Sequence, residues 1–305
     1  MYLLWTRRRG GGDGGMTMST VRRSGLRRPD QTPTPYVEVT LNYVSDERRG
    51  MHYVLDDERS TLPLMPTKVR IFDARCLASP PTLAQEGFTI VKRAPSVQDY
   101  LDPEQLDNRF IPDMRELLRE VTLADEVLML RPVVRLTDKA TRAANLGAPD
   151  AAYHLHLDFT DALARDHLYR FTGAERSYID SFDRIVVYNT WRSISPPPQD
   201  IGLALCDKRS VSFDDMSVAD AFYGIGPLQD FAITVVKHNE NHRWWYYSHM
   251  AEDEVVVFKG WDLDPHPTPS VVHGAFRNPD CPPGAPPRAS IELRGYALFR
   301  GRGQP

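Results

Sequence analysis

The sequence is poor in cysteine: Cys76, Cys206 and Cys281 are its only three, and no two stand in a CxxC pair. That excludes a disulfide framework and a thiolate zinc site, and it fits a reducing, cytoplasmic setting. No apolar run approaches the ~18 residues of a membrane-spanning helix. The N-terminal arginines are not followed by a signal-peptide core. Charge of one sign is not in excess either: 37 Lys and Arg stand against 41 Asp and Glu, a net −4, without the basic surplus that nucleic acid requires. A phosphate-binding glycine loop is missing. The only glycine cluster in the body, Gly224-Ile225-Gly226, lacks a third glycine and a following helix, and reads as a turn. There is no G-x-S-x-G nucleophile elbow.

What is present suffices for a large core: 305 residues, 41% of them hydrophobic and 10% aromatic. Charge is uneven along the chain. Residues 1–34 hold seven arginines and two aspartates, a net +5, so the rest carries −9. That stretch reads as a disordered basic leader, with Met16 and Met18 as alternative starts. Residues 35–305 read as one domain, with helix-rich support over 35–150 and a jelly-roll core over 151–305.

The element pattern is mainly β. Alternation or β-branched and aromatic enrichment predicts strands at 36–43, 68–72, 88–92, 184–190, 231–238, 243–248, 254–261 and 289–299, and one over 126–135 broken at Pro132. In the last long strand Ser290, Glu292 and Arg294 share one face, while Ile291, Leu293 and Ala297 share the other. Helices are expected at 111–125, with Met114, Leu117, Leu118 and Val121 on one face, and at 161–171 and 174–182. Many short strands with helical support predict a jelly roll or barrel.

The most informative stretch is Tyr153-His154-Leu155-His156-Leu157-Asp158-Phe159-Thr160. If extended, it turns His154, His156 and Asp158 to one face. A His and a carboxylate two residues apart can share one ion. A second His from a distant strand completes a facial triad with open positions, the geometry of non-haem Fe(II) oxygenases. His273, in Val271-Val272-His273-Gly274-Ala275-Phe276, is the candidate. Arg288 and Ser290 follow, an i, i+2 pair on an extended segment. A guanidinium fork with a neighbouring hydroxyl suits a carboxylate such as that of 2-oxoglutarate; the bland alternative is an arginine on a solvated strand edge.

Other residues have two readings. His154 is either a further ligand or a histidine beside the site. His238 and His242 stand at HxxxH spacing, but TVVKHNENHRWWYY reads as strand–turn–strand, not as a zinc helix. Arg192, after Trp191, either grips a carboxylate or makes a structural ion pair. Thr160, Trp191, Trp244 and Tyr246 are candidate walls of a substrate pocket. Asp200 and Asp207 read as caps or arginine partners.

The chain resembles the family that contains the cephamycin methoxylase component and the fungal hydroxylase/desaturases, often labelled gibberellin-desaturase-like. The likeness covers roughly residues 68–299. It is carried by Asp73-Ala74-Arg75, Glu86-Gly87-Phe88, His156-x-Asp158-x-Thr160, Asn189-Thr190-Trp191-Arg192, Asn241-His242-Arg243-Trp244, His273-Gly274-Ala275-Phe276 and Pro286-Pro287-Arg288 with Ser290-Ile291-Glu292. It departs at Leu157, at Phe159 and over Met129–Arg135. The resemblance implies a double-stranded β-helix and oxidative tailoring of a small natural product by hydroxylation or desaturation. It also implies Fe(II) on His156, Asp158 and His273, and 2-oxoglutarate on Arg288 and Ser290. Two alternatives stay open: a non-catalytic companion of a tailoring enzyme, since the family includes a component of a two-protein system, and an iron oxygenase that does not use 2-oxoglutarate.

Overall fold

Stretches rich in β-branched and aromatic residues give most of the fifteen strands among the described residues of the protein, a computed structural model that describes residues 35–45, 50–145, 148–223, 230–264 and 269–301. The leader 1–34 and the Gly224–Gly226 turn lie outside the described residues. In chain order the strands are β1 (Tyr36–Val44), β2 (Met51–Tyr53), β3 (Leu64–Asp73), β4 (Phe88–Lys92), β5 (Glu126–Met129), β6 (Val133–Leu136), β7 (His156–Leu157), β8 (Arg184–Ser193), β9 (Ile201–Cys206), β10 (Met216–Phe222), β11 (Asp230–Val236), β12 (Trp244–Tyr246), β13 (Glu254–Asp262), β14 (His273–Arg277) and β15 (Ala289–Phe299).

Nine of them form one sheet, in the order β1-β3-β12-β9-β14-β7-β11-β10-β2. The other six form a second sheet, β4-β13-β8-β15-β5, with β6 also paired to β15. The large sheet curls on itself: the Leu155 N–H, beside β7, donates to the Asn42 carbonyl of β1 at 2.9 Å. Curled β-sheets with helices in support are the jelly-roll class that the residue pattern predicts.

Parity on the smaller sheet positions everything that follows. On β15, Ile291, Leu293, Ala297 and Phe299 join Val186 and Tyr188 of β8 and Val255 and Val257 of β13 in one core. That core is closed by α1 (Ile111–Thr122), whose Met114, Leu117 and Leu118 are buried at the 3.6-residue period. α1 stops at Leu123, which takes the left-handed conformation at φ 56°. The opposite face of the same strands looks toward the large sheet, where Trp191 and Phe258 meet Leu203 and Leu205.

Several elements differ from expectation. Over 174–182 only Arg176–Ile179 is helical, a single turn whose N-cap Glu175 makes no side-chain bond. The strand expected at 243–248 is three residues long. β9 reads in sequence only as an apolar run because both its faces are buried, so it does not alternate. β10, MSVADAF, is rich in alanine and carries an aspartate, both weak β-formers.

Candidate metal centre

The stretch around His156 is less extended than the alternation suggests. Only His156 and Leu157 pair as strand, β7, and Asp158 sits in a bend directly after it. His156 pairs with Val235 of β11 on one side and with His273 of β14 on the other. A long-range antiparallel register therefore brings the two histidines together. Gly274 permits the close approach: a Cβ there would lie 3.1 Å from the His154 carbonyl oxygen.

His156, Asp158 and His273 each offer a ligand atom, all within 4.8 Å of one another, and they are the only such trio found among the described residues. The Nε2 of His156 lies 3.9 Å from Asp158 Oδ1, and that of His273 lies 3.8 Å from Oδ2. Both Nδ1 atoms face carbonyl oxygens, of His154 at 2.9 Å and Val271 at 3.2 Å. A carbonyl only accepts, so each Nδ1 carries the proton and each Nε2 keeps a free lone pair turned to the carboxylate. Burial, with the neighbouring His273, pushes His156 down to about 3. Burial likewise lowers His273, against the pull of Asp158. Both are neutral imidazoles near neutral pH, the form that ligates a metal. Burial pushes Asp158 up, but Arg294 and His273 outweigh it and hold the carboxyl well below its usual range. Two neutral imidazoles and one ionised carboxylate on one side of an ion fit Fe(II) with open positions.

Arg288 is buried and belongs to no ion pair among the described residues. Its Nε donates to Ser290 Oγ at 3.3 Å and its Nη1 to the Gly202 carbonyl at 3.2 Å, and its guanidinium lies over the Trp191 ring at 5.1 Å. Burial pushes it down to about 10. A buried guanidinium with neutral partners only is set to receive an anion. Arg288 reaches forward along β15 to Ser290. From the other end of that inner row Arg294 reaches back to Glu292, with Nη2 to Oε1 at 2.9 Å, and also meets Asp158. Both long side chains thus reach toward the middle of the strand on the face that Ser290, Glu292 and Arg294 share.

Arg192 is not part of it. Adjacent residues on a strand face opposite sides, so Trp191 and Arg192 cannot both look inward. Trp191 does. Arg192 lies on the α1 side, with Nη1 donating to Tyr100 Oη at 2.9 Å and Nη2 to the Arg93 carbonyl at 2.8 Å. Thr160 is taken up as the N-cap of α2 (Asp161–Phe171), accepting from the Leu163 N–H. Trp244 is core, its Nε1 donating to Tyr43 Oη at 2.8 Å. Tyr246 and Trp191 line a cavity with Gly202, Leu203 and Met250, and Trp191 and Gly202 also contact Arg288. His154 lies beside His156, ring centroids 4.8 Å apart and tilted by 38°, outside the trio. His242 bonds Tyr43 Oη through Nδ1 and meets Asp215 through Nε2, a structural role. Asp200 accepts from the Arg288 backbone N–H and Asp207 pairs with Arg209, as caps and partners.

Site residues that the sequence reading did not single out surround Asp158. Asn189 Nδ2 donates to its Oδ2 at 2.6 Å and Arg294 Nη2 to its Oδ1. His167 on α2 has both ring nitrogens buried without a hydrogen-bond partner, and burial pushes it down to about 4. The signal for Arg294 was present: it shares a parity with Ser290.

A profile for the family described as oxidoreductase/YMDC permease-like domain matches residues 41–298. A protein named Fe(II)/2-oxoglutarate-dependent dioxygenase nvfI, from Aspergillus novofumigatus, is 29% identical over 78% of this chain and 84% of its own length. The hydroxylase/desaturase CTB9 of Cercospora beticola is 28% identical over 87% of each chain. A solved structure of the iron and alpha-ketoglutarate-dependent endoperoxidase NvfI superposes with a TM-score of 0.74, at 25% identity, over 90% of this chain and all of the other.

Proposed function

The chain belongs to the oxidoreductase family whose profile spans its residues 41–298, and we propose that His156, Asp158 and His273 hold its Fe(II) while Arg288 and Ser290 hold 2-oxoglutarate. It is an Fe(II)/2-oxoglutarate-dependent oxygenase of natural-product biosynthesis, a hydroxylase or desaturase of a small molecule, in keeping with relatives that carry those names. The observation that carries the site reading is the His–Asp–His trio together with a buried arginine on the inner face, Arg288, that has no ion-pair partner among the described residues.

Fe(II) held by His156, Asp158 and His273 would activate O2, the oxidant, with 2-oxoglutarate supplying two electrons as it becomes succinate and CO2, for attack on a substrate C–H bond. The chain's own part is geometric. His156 and His273 give neutral nitrogens fixed by their carbonyl bonds, and Asp158 gives the one negative ligand. Arg288, with Ser290, would hold a carboxylate of the co-substrate. The buried lining excludes water. A cytoplasmic setting is supported by three unpaired cysteines. No helix among the described residues is long and apolar enough to cross a membrane. A companion tailoring enzyme is an extension of the family likeness alone.

The test is turnover. Protein with Fe(II), ascorbate and 2-oxoglutarate, given extracts of small molecules, should yield succinate coupled to a product that has gained oxygen or lost two hydrogens. Coupled product formed equally well without 2-oxoglutarate would instead favour an iron oxygenase with another reductant.

A further inference from the structure

Asp158 is the only charged member of the trio, and its own backbone does little to hold it. It lies in a bend after a two-residue strand. Its side chain is held from the opposite sheet. Asn189 of β8 and Arg294 of β15 are direct register partners. Each gives one donor to Asp158, Asn189 to Oδ2 at 2.6 Å and Arg294 to Oδ1. Room for the amide comes from a bulge in β13 between Lys259 and Trp261. A Cβ on Gly260 in that bulge would come within 2.8 Å of Asn189 Oδ1.

Arg294 is fixed in turn. It donates to Glu292 Oε1 at 2.9 Å, and Arg135 of β6 donates to the same oxygen at 2.9 Å. Arg135 is anchored by the Asp150 carbonyl at 2.9 Å. The result is a largely buried row of alternating charge, Arg135, Glu292, Arg294, Asp158, that sums to zero. Charges this deep persist only when paired in good geometry, and removing one partner strands the next.

We propose that Arg294 and Asn189 are positioning residues for the iron: they hold the Asp158 carboxylate where it meets the Nε2 atoms of both histidines, and Glu292 with Arg135 holds Arg294 in place. This rests on Asp158 being an iron ligand. Each carboxylate oxygen gives one lone pair to its donor and keeps another for the metal. Partners of this kind orient a ligand before the metal arrives, and their loss costs about 10- to 100-fold in metal affinity.

The rival role is charge compensation alone, and it has the opposite sign. If Arg294 only offset the charge of Asp158, its removal would leave the site more negative and a divalent cation would bind more tightly.

The experiment is titration of the metal-free full-length protein with Co(II), followed by visible absorption, with thermal melting as the folding control. His156→Ala should abolish binding; equal Co(II) affinity in His156→Ala and wild type would remove the ligand reading itself. With that control passed, Arg294→Gln should bind Co(II) about 10- to 100-fold more weakly. Arg294→Lys should recover part of the loss. Asn189→Ala should weaken binding about 2- to 10-fold, the worth of one hydrogen bond, and it decides the matter if Arg294→Gln fails to fold. Unchanged or tighter Co(II) binding in folded Arg294→Gln and Asn189→Ala would overturn the proposal.

Discussion

His156 and His273 face each other across the antiparallel pair of β7 and β14, with ring centroids 4.4 Å apart. Each ring is oriented locally, by the carbonyl two residues before it, but only the register of the sheet brings the two together. Gly274, next to His273, keeps the strands close, since a Cβ there would sit 3.1 Å from the His154 carbonyl oxygen and 3.1 Å from Leu155 Cδ2. Gly274→Ala should therefore cost about 1–3 kcal/mol through overpacking and weaken metal binding as the histidines part. A thermal melt and a Co(II) titration check both. Wild-type affinity in a destabilised Gly274→Ala protein would mean that the strand spacing does not set the site.

Arg288 and Arg192 separate two kinds of buried arginine. Both have neutral hydrogen-bond partners, but Arg288 lies on the inner face against Trp191, whereas Arg192 lies on the α1 side with Tyr100 and the Arg93 carbonyl. Arg288→Ala should raise the KM for 2-oxoglutarate about 100-fold, the scale of losing one side of a buried ion pair. Arg192→Met should leave that KM within about 2-fold and lower the melting temperature instead, by loss of buried hydrogen bonds. A reversed pattern would exchange their roles.

Much of this was legible in the residues, and the gaps have physical reasons. β4 and β15 fall where alternation predicts them, and the inner parity of Ser290, Glu292 and Arg294 holds, because β15, though buried on both faces, carries polar residues on one and apolar residues on the other along that stretch. The same rule, applied one residue further, would have separated Trp191 from Arg192. β9 escaped because both its faces are buried and apolar, so it shows no alternation. The hold on Asp158 escaped because it depends on the pairing of β8 with β15, and the register between distant strands is not written in either one.

Glu292 should leave a pH signature in stability. Burial pushes its carboxyl up, but Arg135 and Arg294 outweigh that, with Asp158 opposing, and it stands at about 2 against an ordinary 4.5. A folded value below the unfolded one means that its contribution is full above the ordinary value. That contribution is lost as pH falls through the folded value. The melting-temperature gap between wild type and Glu292→Gln should be widest near neutral pH and narrow as the pH falls from 4.5 toward 2. A gap independent of pH over that window would show that the carboxylate charge does not stabilise the row.

The most direct measurement is the visible spectrum of the anaerobic protein with Fe(II) and 2-oxoglutarate. Chelation of the oxo acid to the metal gives a weak charge-transfer band, which the wild type should show. Arg192→Met should keep it, while His156→Ala and Asp158→Ala should lose it. The same band in His156→Ala and Asp158→Ala, at unchanged intensity and position, would place the iron elsewhere and contradict the assignment of the site.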